Sequence, residues 1–271
     1  MILAIDVGNT NIVLGCLDKE RILFTERLST VRTKTELKYA VDIKTVLELY
    51  RMDPGELEGA VISSVVPQIT EALQLAVHKV LGEKRIITLG PGVRTGLNLQ
   101  MDNPASVGAD LVAAAVAGLA EYPVPLILID MGTATTVSVL DASGHYIGGM
   151  IYPGIGISLD ALTERASQLS GINIEPPKRL IGRNTLDCMK SGILYSNAAA
   201  IDGIIDRIQE EIGQECTLVA TGGLAEKIIP HCRRKIRLDR ELILKGLLII
   251  YMKNTVTVQS APRICCDTAG V

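Results

Sequence analysis

Three aspartates stand where an acid can do chemistry. Asp6 follows the apolar run Met1–Ile5, and Val7-Gly8-Asn9-Thr10-Asn11 comes next before apolar residues resume at Ile12-Val13-Leu14. That pattern reads as two strands joined by a tight turn whose N–H groups face outward, a geometry that cradles phosphate. A carboxylate at the strand end can hold a Mg²⁺ that bridges phosphate oxygens. Thr10 and Asn11 add hydroxyl and amide contacts. In a single copy, Asp-x-Gly-x-Thr is an ordinary β-hairpin in which Gly and Asn serve the turn.

The pattern occurs twice, however. Leu128-Ile129-Asp130-Met131-Gly132-Thr133-Ala134-Thr135-Thr136-Val137 repeats it, and Asp6/Asp130, Gly8/Gly132 and Val13/Val137 share one offset. Downstream, Asp18-Lys19-Glu20-Arg21 and Asp141-Ala142-Ser143-Gly144 both read as the next hairpin turn, slipped by one residue. A repeat at half the chain length means a duplicated domain rather than a solenoid, whose period would be ~20–50 residues. Two facing phosphate hairpins with a cleft between them are the signature of the actin/hexokinase-like ATPase and kinase fold.

The third acid, Asp110, falls in the first turn of a helix expected to run from a Ser106 cap to about Glu121, before Pro123 and Pro125. There it can project into the cleft. Phosphoryl transfer through a loose transition state needs mainly positioning and charge neutralisation. A carboxylate of ordinary pKa can therefore act as base if it lies within ~3 Å of the acceptor hydroxyl. The plainer role is complementing the helix dipole, worth ~0.3–1 kcal/mol.

Positioning these acids takes strands and helices, and the periodicities supply them. Arg21–Leu28 alternates as a third strand, and 33–50 carries helical spacing through Leu37, Ala40, Val41, Leu47 and Tyr50. Gly59–Val66 is a β-branched run closed by Pro67. A helix follows with Ile69, Leu73, Ala76, Val77 and Val80 on one face, and Ile86–Leu89 is a short strand. The order βββαβα is that of an RNase H-like unit. A second unit starts at Leu126, with strands at 126–130, 134–140 and 145–152, loop chemistry from Gly149 to Gly156, and a helix over Ser158–Gln168. Pro176-Pro177 marks a linker, and the longest helical pattern spans Asn184–Ile212. Its stripe of Leu194, Ala198, Ile201, Ile205, Ile208 and Ile212 suits either a core or a subunit interface. Strand Thr217–Thr221 feeds Gly222-Gly223, a pair that lets backbone approach a flat ring or simply makes a turn; the position fits an adenine site. A last helix runs Glu241–Lys253. The expected fold is α/β, duplicated and RNase H-like (actin/hexokinase-like), with mixed five-stranded sheets and an interdomain cleft. It divides into 1–104, 105–255 and an unpatterned, poorly ordered tail over 256–271.

Bulk properties narrow the field. The 271 residues suffice for one or two domains with an ample core, and a hydrophobic share of 48% excludes a disordered chain. A net charge of −3 argues against nucleic acid as the main ligand. Asp6 interrupts the first apolar run with no basic stretch before it, so no secretory leader is expected. Leu111–Ala120 is shorter than the ~20 residues a membrane span needs. A cytoplasmic protein is expected, touching neither nucleic acid nor membrane. The six cysteines, including adjacent Cys265-Cys266, form no Cys-x-x-Cys pair, which argues against zinc. With no Trp and Phe24 as the one Phe, the core must be Val, Ile, Leu and Ala.

Seven ordered motifs carry a family resemblance. They are Asp6-Val7-Gly8-Asn9-Thr10-Asn11; Gly90-Pro91-Gly92; Asp102-Asn103-Pro104 with Gly108-Ala109-Asp110; Asp130-Met131-Gly132-Thr133-Ala134-Thr135; Gly148-Gly149 with Pro153-Gly154; Ile181-Gly182-Arg183-Asn184-Thr185 with Ser191-Gly192; and Ala220-Thr221-Gly222-Gly223-Leu224. From residue 1 to about Asn254 the chain closely resembles type III pantothenate kinase. The resemblance implies ATP-dependent phosphorylation of the primary hydroxyl of pantothenate, the first step towards coenzyme A. It also implies a homodimer, Mg²⁺ held by Asp6 through phosphate, and a monovalent cation (K⁺ or NH₄⁺) near Asp130. Asp6, Val7, Gly8, Asn9, Thr10, Asn11, Ile12 and Val13 would contact ATP, as would Thr133, with Gly222 and Gly223 at the adenine. Gly108, Ala109, Asp110 and Leu111 would form the pantothenate segment, with Asp110 taking the hydroxyl proton and Thr185 touching substrate across the dimer.

Two departures bear on specificity. The family usually has Arg where this chain has Leu111, and an aromatic often occupies the position of Met101. A guanidinium there could pair with the pantothenate carboxylate, and losing a charge-assisted bond costs ~1.5–3 kcal/mol. Either another basic residue (Arg94, Lys178 or Arg179) takes over or substrate preference has moved. The competing readings are a weakly active or inactive ATP-binding homologue with an accessory or regulatory role, and a kinase for another small alcohol.

Overall fold

A computed structural model describes residues 1–19, 21–165 and 171–255. Residue 20 of the Asp18 turn, the end of the helix expected to reach Gln168, the tail over 256–271 and the Cys265-Cys266 pair lie outside the described residues. The first sheet comprises Ile2–Val7 (β1), Asn11–Leu17 (β2), Ile22–Ser29 (β3), Gly59–Ser64 (β4) and Arg85–Thr88 (β5), in the order β3-β2-β1-β4-β5. β1 pairs antiparallel with β2 and parallel with β4. The unbroken apolar runs of β1 and β4 lie at the centre and are buried on both faces, whereas alternating β3 forms an edge. Glu36–Leu49 (α1) and Pro67–Leu81 (α2) cover one face, packing Tyr39, Ile43, Ile69 and Leu73 with Ile5, Ile12 and Ile62.

The second sheet repeats this plan with Leu126–Met131 (β6), Ala134–Leu140 (β7), Tyr146–Pro153 (β8), Thr217–Thr221 (β9) and Arg237–Leu238 (β10), ordered β10-β9-β6-β7-β8. β6 is again antiparallel to one neighbour and parallel to the other. Two mixed five-stranded sheets of one topology make this the duplicated, actin/hexokinase-like fold expected above. Between β8 and β9 run Ile155–Arg165 (α4) and the long Thr185–Ile212 (α5), and Ala225–Ile228 (α6) follows β9. Leu194, Ala198, Ile201 and Ile205 of α5 pack with Ile127, Ile129 and Val137, so that stripe is core.

Ala109–Glu121 (α3) and Leu242–Thr255 (α7) form a layer shared by both sheets. α3 presents Ala113 and Val116 to Ala4 and Val61 of the first sheet, and Ala114, Ala115 and Ala117 to Leu126, Leu128 and Val219 of the second. Small side chains let one helix fit between two sheets. A Cβ on Gly246 of α7 would collide with the Ala113 carbonyl, so the two helices touch backbone to side-chain-free backbone. The apolar face of α7 packs on β1 and β4, returning the chain to the first sheet. Tyr122 Oη and Lys245 Nζ each donate to Asp239 Oδ2 at 2.8 Å, fastening the end of α3 to the start of α7.

Local corrections follow from packing. Ser106 does not cap α3: it sits in a 3₁₀ turn with its hydroxyl donating to Asn103 O at 2.7 Å, and Gly108 is the N-cap. The loop expected from Gly149 starts later, since β8 continues to Pro153 and a Cβ on Gly149 would strike the Val137 carbonyl of the neighbouring strand. α4 begins at Ile155, three residues before Ser158.

Candidate active site

The two hairpins form at the C-terminal ends of β1 and β6, as the repeat predicts, but their turns differ in length. Gly8 N–H donates to Asn11 O at 3.0 Å, whereas Gly132 N–H donates to Ala134 O at 3.0 Å. The second turn is one residue shorter, and the turn after it is one residue longer, closing Asp141 N–H on His145 O where the first unit closes Asp18 N–H on Arg21 O, so β8 regains the original offset. In the ladders Asp6 faces Val13, and Asp130 faces Thr136 rather than Val137. With the slip counted, Thr10 and Thr133 are counterparts, and their hydroxyls lie 2.8 Å apart. Val7 is buried at the strand end, Asn9 and Thr10 are exposed in the turn, and Asn11, Ile12 and Val13 open β2.

Asp110 comes from the shared layer. Its Oδ1 accepts from Leu111 N–H at 2.8 Å, folding the carboxylate back over the first turn of α3. A Cβ on Gly108 would stand 2.5 Å from that oxygen, too close for the carboxylate to keep this position, which gives the glycine two residues earlier a physical reason. Ala109 packs towards the core cluster that Ala113 and Val116 share.

Asp110 stands close enough to Asp6 and Asp130 for its charge to act on both. Burial is the largest cause pushing Asp6 up to about 7; Asp110 and then Asp130 add to it, while the hydroxyl of Ser63 on β4 pulls it back. Asp130 is likewise pushed up to about 7 by burial and by Asp110, with Arg27 pulling down. Burial raises Asp110 as well, against the Leu111 N–H. Three acids from three elements thus share one partly desolvated gap, where a cation and a nucleophile's proton would both be welcome. Among the described residues no trio of ligating side chains is close enough to hold a metal unaided.

Three contributors escaped the sequence reading. Thr136 lies opposite Asp130 in the ladder, on the same face, and its buried Oγ1 has no hydrogen-bond partner among the described residues. Thr221 of β9 flanks Asp130 on the other side, as Ser63 flanks Asp6. A carboxylate with an unspent hydroxyl oxygen beside it fits a monovalent cation. Arg27 reaches the gap from β3. The alternation of threonines in β7 and the position of Arg27 in β3 were visible, but their neighbours follow only from register.

The glycines after β9 serve a definite purpose. Gly222, at φ +94°, passes so close to Asp130 Oδ1 and Met131 N that any side chain would collide. A Cβ on Gly223 would stand 2.7 Å from Arg27 Nη1. Thr185 opens α5, exposed, with no hydrogen bond to Asp6, Asp110 or Asp130 among the described residues. Asn184 caps that helix by accepting from Asp187 N–H at 2.9 Å. Leu111 is half-buried beside Asp110, and Met101, like Leu97, Leu99 and Val107, packs against the cluster that includes Leu126, Leu128 and Tyr146. Arg94, Lys178 and Arg179 are exposed and make no ion pair among the described residues; Arg94 is clipped to α7 through its backbone and Asn254.

Comparison with known proteins agrees with this geometry. The family model described as type III pantothenate kinase matches residues 2–207. A type III pantothenate kinase from an Exiguobacterium species is 44% identical over 254 residues, covering 94% of this chain and 99% of that protein. One from Moorella thermoacetica is 43% identical over 255 residues, covering 94% and 100%. Among solved structures, the activator of the 2-hydroxyisocaproyl-CoA dehydratase from Clostridium difficile with bound ADPNP aligns at a TM-score of 0.55 and 14% identity, covering 96% and 99%. That likeness is one of fold.

Proposed function

The chain belongs to the type III pantothenate kinase family, and from that premise we propose how it moves the γ-phosphoryl group of ATP onto the primary hydroxyl of pantothenate. The observation that carries the mechanism is the placing of Asp110, on the helix packed between the two sheets, where its charge acts on both Asp6 and Asp130 at the hairpins. ATP lies between the hairpins, its phosphates against the N–H groups and hydroxyls of the Asp6–Val13 turn and Thr133, its adenine at Gly222-Gly223. Asp6 and Asp130 would hold Mg²⁺ and a monovalent cation (K⁺ or NH₄⁺), the second with the unspent Thr136 hydroxyl. These ions supply charge neutralisation for the phosphates and for the acids themselves. Asp110, with Oδ1 committed to Leu111 N–H, offers its remaining lone pairs to the pantothenate hydroxyl and takes its proton as the O–P bond forms. A carboxyl raised above its ordinary value is a better base near neutral pH. Gly108, Ala109 and Leu111 border the acceptor.

The protein acts as a homodimer. Met150, Ile151, Ile157, Leu162, Leu180, Ile181 and Leu186 expose apolar surface on edge strand β8, on α4 and around the start of α5, with Ile181 81% accessible. So large an apolar share at one margin of the second unit supports a subunit contact, and Thr185 at the start of α5 would then reach a site completed by both copies. No helix among the described residues is long and apolar enough to cross a membrane, in keeping with a cytoplasmic enzyme. An accessory, inactive role is not favoured, since relatives at 43–44% identity over nearly the whole chain are kinases. A coupled ADP-release assay tests the reading: release should require pantothenate and K⁺. ADP release indifferent to pantothenate would overturn it.

A further inference from the structure

Arg27 belongs to neither hairpin, yet it stands over the gap between them. Asp6 pairs with Val13 and Val13 with Arg27 across β1, β2 and β3. Directly opposed residues of antiparallel strands project to one face, so Arg27 shares the face that bears Asp6. Its guanidinium then reaches the other unit, lying against Gly223 with Nη1 2.7 Å from where a Cβ would sit. The adjacent acid, Glu26, is spent elsewhere: Oε1 accepts from Arg27 N–H at 3.0 Å and Oε2 from Tyr50 Oη at 3.1 Å. The guanidinium itself makes no ion pair and no hydrogen bond among the described residues. A permanent cation with five unspent donors, its charge acting on buried Asp130 across the cleft, suits an anionic ligand with several oxygens.

We propose that Arg27 binds the diphosphate part of the nucleotide, bridging the edge strand of the first sheet to the glycine turn of the second through the α- and β-phosphate oxygens. The inference rests on the nucleotide site described above. Gly223, in the turn proposed to meet the adenine, places the Arg27 guanidinium on the nucleotide side of the cleft, where its charge acts on Asp130. Arg27 therefore serves affinity for the phosphates more than the acceptor alcohol.

Calorimetric titration of the full chain with ADP and with adenosine, beside steady-state kinetics, tests this. Arg27→Met should weaken ADP binding and raise the KM for ATP by about 10- to 100-fold, the usual yield of a charge-assisted bond. Adenosine affinity and the KM for pantothenate should stay within about twofold. Arg27→Lys keeps the charge but loses the fork and should fall between; it also serves if the Met variant fails to fold. ADP affinity unchanged, or adenosine and pantothenate weakened in the same proportion, overturns the role of Arg27 and leaves the site reading intact. A wild-type protein that binds no ADP overturns both.

Discussion

Thr10 and Thr133, 123 residues apart in the chain, meet hydroxyl to hydroxyl at 2.8 Å. They are counterparts in the duplicated units, so the contact is a meeting of like with like at the tips of the two hairpins. Either oxygen can be the donor, and both can donate to phosphate instead. Nucleotide entry would exchange one exposed hydroxyl pair for two hydroxyl–phosphate bonds. Thr10→Val and Thr133→Val should each raise the KM for ATP by about tenfold or more, since a hydrogen bond to a charged acceptor is worth ~1.5–3 kcal/mol. Because the two share one ligand, the double variant should lose less than the sum. ADP titration of the four proteins measures this, and strict additivity would separate the two hydroxyls.

The buried acids make the nucleotide-free protein weaker as pH rises. Asp6 and Asp130 sit near pKa 7 when folded, against 3.8 for the ordinary side chain. Folding takes up protons between those values. Their contribution is therefore full below the unfolded pKa and is lost as pH climbs through the folded one. Thermal melts from pH 5 to 8 should show Tm falling and then levelling above about pH 7.5. Asp6→Asn should abolish turnover yet raise Tm at pH 8, by about 2–4 °C for each kcal/mol of repulsion and desolvation removed. A flat Tm profile would mean the acids find counter-charges within the protein.

Asp110→Asn separates base from dipole. Loss of a general base costs about 10²–10⁴ in rate, whereas removing a charge that only complements a helix would leave kcat nearly intact. ADP binding should be retained, because Asp110 stands in the shared layer between the sheets and not on a hairpin. The same change removes a cause of the raised values at Asp6 and Asp130, so the fall of Tm with pH should become shallower. Single-turnover rates beside the melts would reveal both effects.

What could be read from the chain was whatever a strand or a turn announces locally. The hairpins at Asp6 and Asp130 are strand–turn–strand patterns that repeat, and the doubled α/β plan followed from them. The helix bearing Asp110 was legible, but its start was misplaced at Ser106 because a serine upstream is the commoner capping signal; here Gly108 is the N-cap without a side-chain cap, and the Asp110 carboxylate accepts from Leu111 N–H inside the first turn. The one-residue slip read at the Asp18 and Asp141 turns begins earlier, in the hairpins themselves: matching Val13 with Val137 follows spacing, while Asp130 pairs with Thr136 by hydrogen bonding. Arg27 and Thr136 stayed hidden for the same reason: their importance lies in what faces them across a ladder or a cleft. β10, only Arg237-Leu238, is too short to alternate.

Thr136 and Gly222 border the position proposed above for a monovalent cation, beside Asp130. Thr136→Val removes the unspent hydroxyl beside Asp130 while keeping shape and burial, so the K⁺ concentration for half-maximal activity should rise by roughly tenfold, about the worth of one hydrogen bond to a charge. Gly222→Ala forces a Cβ into the Asp130 carboxylate at a positive φ and should cost K⁺ activation and stability together. Activity titrated with KCl at constant ionic strength distinguishes them. An unchanged K⁺ requirement in Thr136→Val would move the ion away from this ladder position.

Leu111 is where this chain parts from the family pattern, and it adjoins the carboxylate that faces the acceptor. An aliphatic side chain cannot pair with the acid of pantothenate, and Arg94, Lys178 and Arg179, all exposed and without ion pairs among the described residues, stand available. Leu111→Arg should lower the KM for pantothenate by about 10-fold or more if the pocket lacks a cation, in line with ~1.5–3 kcal/mol for a charge-assisted bond, with kcat little changed because the contact is uniform through the reaction. A KM that holds or rises would mean one of those three residues already meets the carboxylate. The three alanine variants then identify it, because the residue in question alone should raise the KM for pantothenate without touching that for ATP.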